Sequence, residues 1–176
     1  MSGQAGRYQR SFGGMVGAMV VLVLLILAWV GFRALTSSQP PNPVQTVDYA
    51  QEVPLAKKTA TFDLVAPPRL PDGWRATTVS FVDTQPQHWH LGLLTDSGRY
   101  VGLEQGEEPV QAFVSRYVDK DAQRGGPVSV EGHPWGSWSD ARGDLALVRR
   151  AGSTTTLVVG HDVRRSELVS FAAGLR

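Results

Sequence analysis

His88-Trp89-His90-Leu91-Gly92-Leu93-Leu94-Thr95-Asp96-Ser97-Gly98-Arg99-Tyr100-Val101-Gly102-Leu103-Glu104-Gln105 is the stretch whose reading decides the fold. Trp89, Leu91 and Leu93 alternate with polar or small residues, the period of two that a half-buried strand shows. Asp96-Ser97-Gly98 supplies a tight turn, so the stretch reads as a hairpin of His88–Thr95 and Arg99–Gln105. The period then changes. Val110, Phe113, Val114, Tyr117 and Val118 fall at i, i+3, i+4, i+7 and i+8, one stripe of an amphipathic helix. Gly125-Gly126-Pro127 stops it.

Working outward, Thr61–Val65 and Arg75–Val82 read as strands before the hairpin, separated by a corner rich in Pro and Gly at Ala66–Gly73. Strands follow the helix at Val128–Glu131, Trp135–Ser139, Asp144–Arg150 and Thr154–Val159. Ser166 stands where it can cap a last helix carrying Leu168, Phe171, Ala172 and Leu175. Leu91, Leu93, Leu94, Gly98, Leu103 and Gly106 recur, offset by 54 residues, as Leu145, Leu147, Val148, Gly152, Leu157 and Gly160. The expectation is an α+β domain: a tandem βββα repeat sharing one mainly antiparallel sheet, with both amphipathic helices on one face.

N-terminal to this, no residue from Ser11 to Phe32 is charged. About 20 helical residues cover the ~30 Å hydrocarbon layer, and a cleaved signal peptide has a shorter apolar region followed by small residues. The run therefore reads as an uncleaved, single-pass signal-anchor over residues 11–33. Arg7 and Arg10 precede it without any acid, which predicts a cytoplasmic tail at 1–10 and a C-terminal domain outside the plasma membrane. Residues 34–58 read as a linker, with three prolines in Pro40-Pro41-Asn42-Pro43 and a short helical segment after Asp48. The domain is expected over 59–176. Gly13 and Gly17 form a small-xxx-small pair that lets two membrane helices approach, the motif of a homodimer.

Composition excludes several functions. There is no cysteine, hence no disulfide, thiolate metal site or thiol nucleophile. All sixteen acids lie from Asp48 onward with fourteen of the seventeen Lys and Arg, an excess of two negative charges. A nucleic-acid partner needs a dense cationic face, which the sequence lacks; Arg149-Arg150 and Arg164-Arg165 read as solvated pairs.

Val47-Asp48-Tyr49, Leu70-Pro71-Asp72-Gly73-Trp74-Arg75-Ala76-Thr77, Trp89-His90-Leu91-Gly92 and Tyr100-Val101-Gly102-Leu103-Glu104-Gln105 together resemble a group of actinobacterial membrane-anchored proteins catalogued as domain-of-unknown-function family 4245. The resemblance runs from about Val47 to the C-terminus. It implies an envelope location and no catalytic motif.

The residues themselves carry little chemistry. His88 and His90, at i and i+2 of one strand, are the candidate metal pair, with His133 and His161 as further ligands. Alternation turns Trp89, Leu91 and Leu93 inward and the histidines outward, and no acid lies in their strand, which favours exposed or partner-facing imidazoles. Glu104, Glu107 and Glu108 read as acids polarising the helix that follows. Trp135 and Trp138 have opposite parity, so one is core and the other exposed. The candidate contact surface is Trp138 with His88 and His90. No phosphate loop, nucleophile elbow or dinucleotide fingerprint is present, and no cofactor is expected. The reading is a non-enzymatic binding module of the bacterial cell envelope, held in the membrane and facing an envelope protein, a lipid or a cell-wall partner. The competing reading is an envelope enzyme whose site is assembled from His88, His90 and a Glu.

Overall fold

A computed structural model describes residues 12–36 and 45–176, with side chains described over 14–29 and 45–176. The chain divides into two compact units, Met1–Pro43 and Val44–Arg176. The first holds α1 (Phe12–Thr36). Among the described residues, no helix is long and apolar enough to cross a membrane. The span expected over 11–33 is therefore not carried by the structure. The tail at 1–10, residues 37–44 of the linker and the surroundings of Gly13 lie outside what is described. A Cβ at Gly14 or Gly17 would meet nothing within 4 Å.

The second unit begins with α2 (Tyr49–Thr59), capped by Asp48, whose carboxylate accepts from Ala50 N. The helix belongs to the folded unit rather than to a linker. Ala56 is buried, Tyr49 and Val53 pack on the core, and the Tyr49 hydroxyl donates to Pro67 O at 2.9 Å. Eight strands follow: β1 (Arg75–Val82), β2 (His88–Leu94), β3 (Tyr100–Gly106), β4 (Gln123–Arg124), β5 (Val128–Val130), β6 (His133–Ser139), β7 (Asp144–Ala151) and β8 (Thr154–His161). Two helices interleave with them, α3 (Val110–Tyr117) after β3 and α4 (Arg165–Ala173) after β8. The sheet is antiparallel in the order β1-β2-β3-β8-β7-β6-β4, with β5 also paired to β6. Two three-stranded meanders thus meet at β3 and β8. Glu131 and Gly132, both at positive φ, make the two-residue turn between β5 and β6, the conformation of a primed hairpin turn.

The expected α+β class and antiparallel sheet are present, but the two helices do not share a face. Phe113 and Val114 of α3 pack on Ala146, Val148, Leu157 and Val159. Leu168 and Phe171 of α4 pack on Leu147, Val158, Leu103 and Leu91. Consecutive strand residues point to opposite faces, so α3 covers one side of the sheet, and α4 with α2 the other. The 54-residue offset explains the difference. It would set Leu145 opposite Leu157, as Leu91 lies opposite Leu103, whereas Leu145 pairs with Gly160. A slip of three is odd, and an odd slip turns the strand over.

Three further readings change. Thr61–Val65 is not a strand. Its backbone bonds go to two glutamine side chains: Thr61 N donates to Gln87 Oε1 at 2.7 Å, and Gln105 donates to Asp63 O and accepts from Val65 N, both at 2.9 Å. Next to it, Ala66 and Arg176 exchange two backbone bonds. Ser166 lies inside α4 and not at its cap; Arg164 is the cap, and its N–H donates to Glu167 Oε2 at 3.0 Å. The strand β4 was too short for any periodicity to announce it.

Phe113 is fully buried, beneath His88 and Tyr117. Phe113→Ala is expected to cost about 3–5 kcal/mol. Arg116 points away from the core, with half its side chain exposed and paired to Glu108. Arg116→Ala is expected to cost within about 1 kcal/mol. Urea melts of the two variants check the phase of α3; equal losses would mean a rotated helix.

Candidate functional site

α3 covers β7 and β8 but leaves the β1–β2–β3 part of its face open: Thr78, Ser80 and Val82 are exposed there. On that open part the structure brings His88 and His90 to one carboxylate. In the β2–β3 ladder His90 lies directly opposite Glu104, and Gly92 opposite Gly102. His90 Nδ1 is 2.7 Å from Glu104 Oε1, and His88 Nε2 is 3.0 Å from Oε2. The two contacts differ in kind. With Nδ1 protonated, His90 donates a directed hydrogen bond. Oε2 is close to His88 yet has no aligned donor and is fully buried, so that contact is electrostatic proximity only. Glu104 is 3% exposed at its side chain, each imidazole about one-fifth. The ring of His88 stacks on Tyr117 of α3, and the Tyr117 hydroxyl is 2.9 Å from His88 Nε2.

Tyr100 forms the roof. A Cβ at Gly102 would stand 3.1 Å from its hydroxyl and 3.3 Å from Glu104 Oε1, and one at Gly92 would stand 3.4 Å from its ring. The glycine pair leaves room for the ring to lie flat over the ladder. Burial, then the charge of Glu104 and then Tyr117, push the Tyr100 phenol up to about 12. Burial also raises Tyr117. What this cluster can do is hold and pass a proton between a carboxylate, two imidazoles and a phenol at a solvent-facing sheet surface. As a metal centre it lacks convergence, because the imidazoles engage different oxygens of Glu104. Among the described residues no group of three or more His, Cys, Asp or Glu is placed to hold a metal ion. His161 pairs instead with Asp144 at 2.8 Å, and this contact, followed by the charge of Asp162, raises its pKa.

Glu107 and Glu108 do not cap α3. Its N-cap is Pro109, with no side-chain bond. Glu108 takes both guanidinium nitrogens of Arg116 at 2.6 and 2.8 Å, which lowers its pKa. Glu107 accepts from Thr61 and Ser153.

Trp135 is buried in the α4-side core, while Trp138 is half-buried on the α3 side. Trp138 therefore shares a face with His88 and His90, but four strand steps, about 19 Å, separate them, and α3 stands between. The contact surface expected from Trp138, His88 and His90 is two places. Trp138 lines a depression of about 440 Å³, which shares Arg124, Pro134 and Gly136 with a second of about 380 Å³ lined by Trp135. The indole lies along the strand over Gly136, with Nε1 3.7 Å from the place a Cβ would take. Arg124 and Arg150 stand on this face beside it, whereas Arg149, the next residue after Val148 on β7, turns its side chain to the other face; neither lining contains an acid. Sequence reading had passed over Arg149 and Arg150 as solvated and had not singled out Arg124. On the other face a cleft of about 330 Å³ over Trp135 and Val130 carries both signs, Asp63 and Glu131 against Arg149 and Arg176.

The family model described as "Protein of unknown function (DUF4245)" matches residues 7–175, and the chain belongs to that family. No curated protein matches it.

The phenol of Tyr100 has a pKa above its unfolded value of 10, so the folded state holds that proton more tightly. Its stabilising contribution is complete below pH 10 and is lost as pH rises toward 12. Tyrosinate absorbance is expected to show its latest component near pH 12, and Tyr100→Phe is expected to remove it. Gly102→Ala, which displaces the hydroxyl, is expected to return that component toward 10. A component near pH 12 that persists undiminished in Tyr100→Phe would place the most perturbed phenol elsewhere.

Proposed function

We propose that this family member is a membrane-tethered binding module of the bacterial envelope, with its N-terminus cytoplasmic and Val44–Arg176 outside. The observation that carries the binding role is the acid-free groove around Trp138. It combines an indole, apolar walls and the arginines Arg124 and Arg150 in a domain whose overall charge is negative. A half-buried aromatic among cations is the composition of a recognition surface, because rigid rings and guanidinium groups supply much of the energy at interfaces. The tether is supported by the uncharged run Ser11–Phe32 and by the exposure of Met15, Leu25 and Trp29 on α1, apolar area that water disfavours.

The test is site-specific photocrosslinking in native membranes. A photoreactive residue at Gln111, in the groove, is expected to give a discrete adduct on intact spheroplasts. The same residue at Ser170, on the exposed side of α4, is expected to give none. Protease added outside is expected to digest the domain. Equal labelling at both positions removes the binding role, and protection from external protease reverses the orientation.

A second reading has its own observation. His88, His90 and Glu104 are assembled from two strands, which supports an envelope enzyme working by acid–base transfer. Its test is turnover of ester, phosphoester and glycoside panels by the wild type against Glu104→Gln; absence of any Glu104-dependent turnover eliminates it.

A further inference from the structure

The cleft on the α4 face, about 330 Å³, is built on one row of the sheet. Gln105 of β3 lies opposite Thr156 of β8, and Thr156 opposite Arg149 of β7. All three turn to the α4 side, since their neighbours Leu157 and Val148 pack under α3. The Gln105 amide is spent: it donates to Asp63 O and to Thr156 Oγ1 and accepts from Val65 N. The Thr156 hydroxyl accepts from that amide and keeps its own hydrogen to donate. Beside it the half-buried Arg149 has no hydrogen-bond or ion-pair partner among the described residues. Arg176, the other cation of the cleft, is spent on the carbonyls of Ala173 and Leu175. One guanidinium and one hydroxyl therefore form a donor pair, the arrangement that takes a carboxylate.

Acids line the same cleft without meeting that pair. No ion pair or hydrogen bond joins Arg149 to Asp63 or Glu131, and neither carboxylate has a side-chain partner among the described residues. Glu131 opens the β5–β6 turn at φ 49, a conformation that asparagine or glycine takes at less cost; turn chemistry gives no reason for a glutamate there. Between the two signs the floor is apolar, made by Trp135, Val130 and Ala172. Opposite charges held apart over an apolar floor suit a ligand that carries both charges at its two ends. An extended dipeptide separates its ammonium from its carboxylate by roughly 7 Å, and the cleft stands at the small end of ligand sites.

We infer that this cleft binds a zwitterionic dipeptide with small side chains, its carboxylate on Arg149 and the Thr156 hydroxyl and its ammonium toward Glu131 and Asp63. The site is independent of the Trp138 groove and of the tether.

The experiment is a saturation-transfer NMR titration of alanyl-alanine against the full chain in deuterated maltoside micelles, with empty micelles subtracted. Saturable binding is expected, and about tenfold weaker binding of both the N-acetylated dipeptide and the dipeptide amide. Comparison of the L,L and D,D forms tells a protein-derived peptide from one of cell-wall type. Arg149→Gln is expected to weaken the dipeptide about tenfold and to leave the amide, already without its carboxylate, unchanged. Glu131→Gln with Asp63→Asn is expected to weaken the dipeptide and spare the N-acetylated form. Near-UV circular dichroism reports folding. Should Arg149→Gln disturb it, Arg149→Lys, which keeps the charge and loses the fork, is expected to weaken the dipeptide about threefold and spare the amide. Absence of saturable binding by either enantiomer, an amide as tight as the free acid, equal losses of dipeptide and amide in the arginine variant, or tighter binding of the uncharged disaccharide chitobiose each overturns the inference.

Discussion

Burial of the central strands from both sides is the constraint on which the domain depends. Leu145-Ala146-Leu147-Val148 and Leu157-Val158-Val159 present apolar side chains to each face in turn, and each face must be covered. α3 covers one with Phe113 and Val114, and α4 covers the other with Leu168 and Phe171, joined by α2. Everything peripheral follows from the length of those covers. α3 is only eight residues long, so it screens β7 and β8 and leaves the same face of β1, β2 and β3 to polar residues. Both candidate sites lie at the margins of that short helix, one at Tyr117 and the other at Val110.

At the first margin, a carboxylate is kept almost dry between two imidazoles that are themselves largely covered. A buried charge is tolerated when hydrogen bonds and opposite charge repay its lost hydration. Glu104 has one directed bond and one unaligned neighbour. The phenol above it holds its proton first because burial disfavours its charged form and then because ionisation would place a second negative charge beside the first. At the second margin the logic is inverted: the charges are cations, exposed and without acids among the lining residues.

Much of this was written in local patterns. The hairpin's alternation and the 3.6-residue stripe from Val110 located β2, β3 and α3 to within a residue or two. The pairing of His90 with Glu104 was also there to be found: with Asp96-Ser97-Gly98 as the turn and Leu94 opposite Tyr100, counting back reaches His90 and Glu104. What failed were inferences about non-local partners. The segment Thr61–Val65 has the composition of a strand, but its partner is a glutamine side chain 40 residues away, which no local period encodes. Both helices were assigned to one face although the unbroken apolar runs in β7 and β8 carry the mark of two-sided burial. Arg124 escaped notice because a two-residue strand has no pattern to read.

The odd register slip between the two hairpins means that the halves are not interchangeable parts. Leu103 faces α4, while Leu157, its counterpart 54 residues on, faces α3. A graft copying β8 into the place of β3 by sequence alignment would set Val158 at Glu104, on the open polar side, and Thr155 at Val101, in the interior. Resemblance along the chain and equivalence in space have parted here. Any scheme that averages the two halves into a consensus, or permutes one for the other, must first shift its alignment by three.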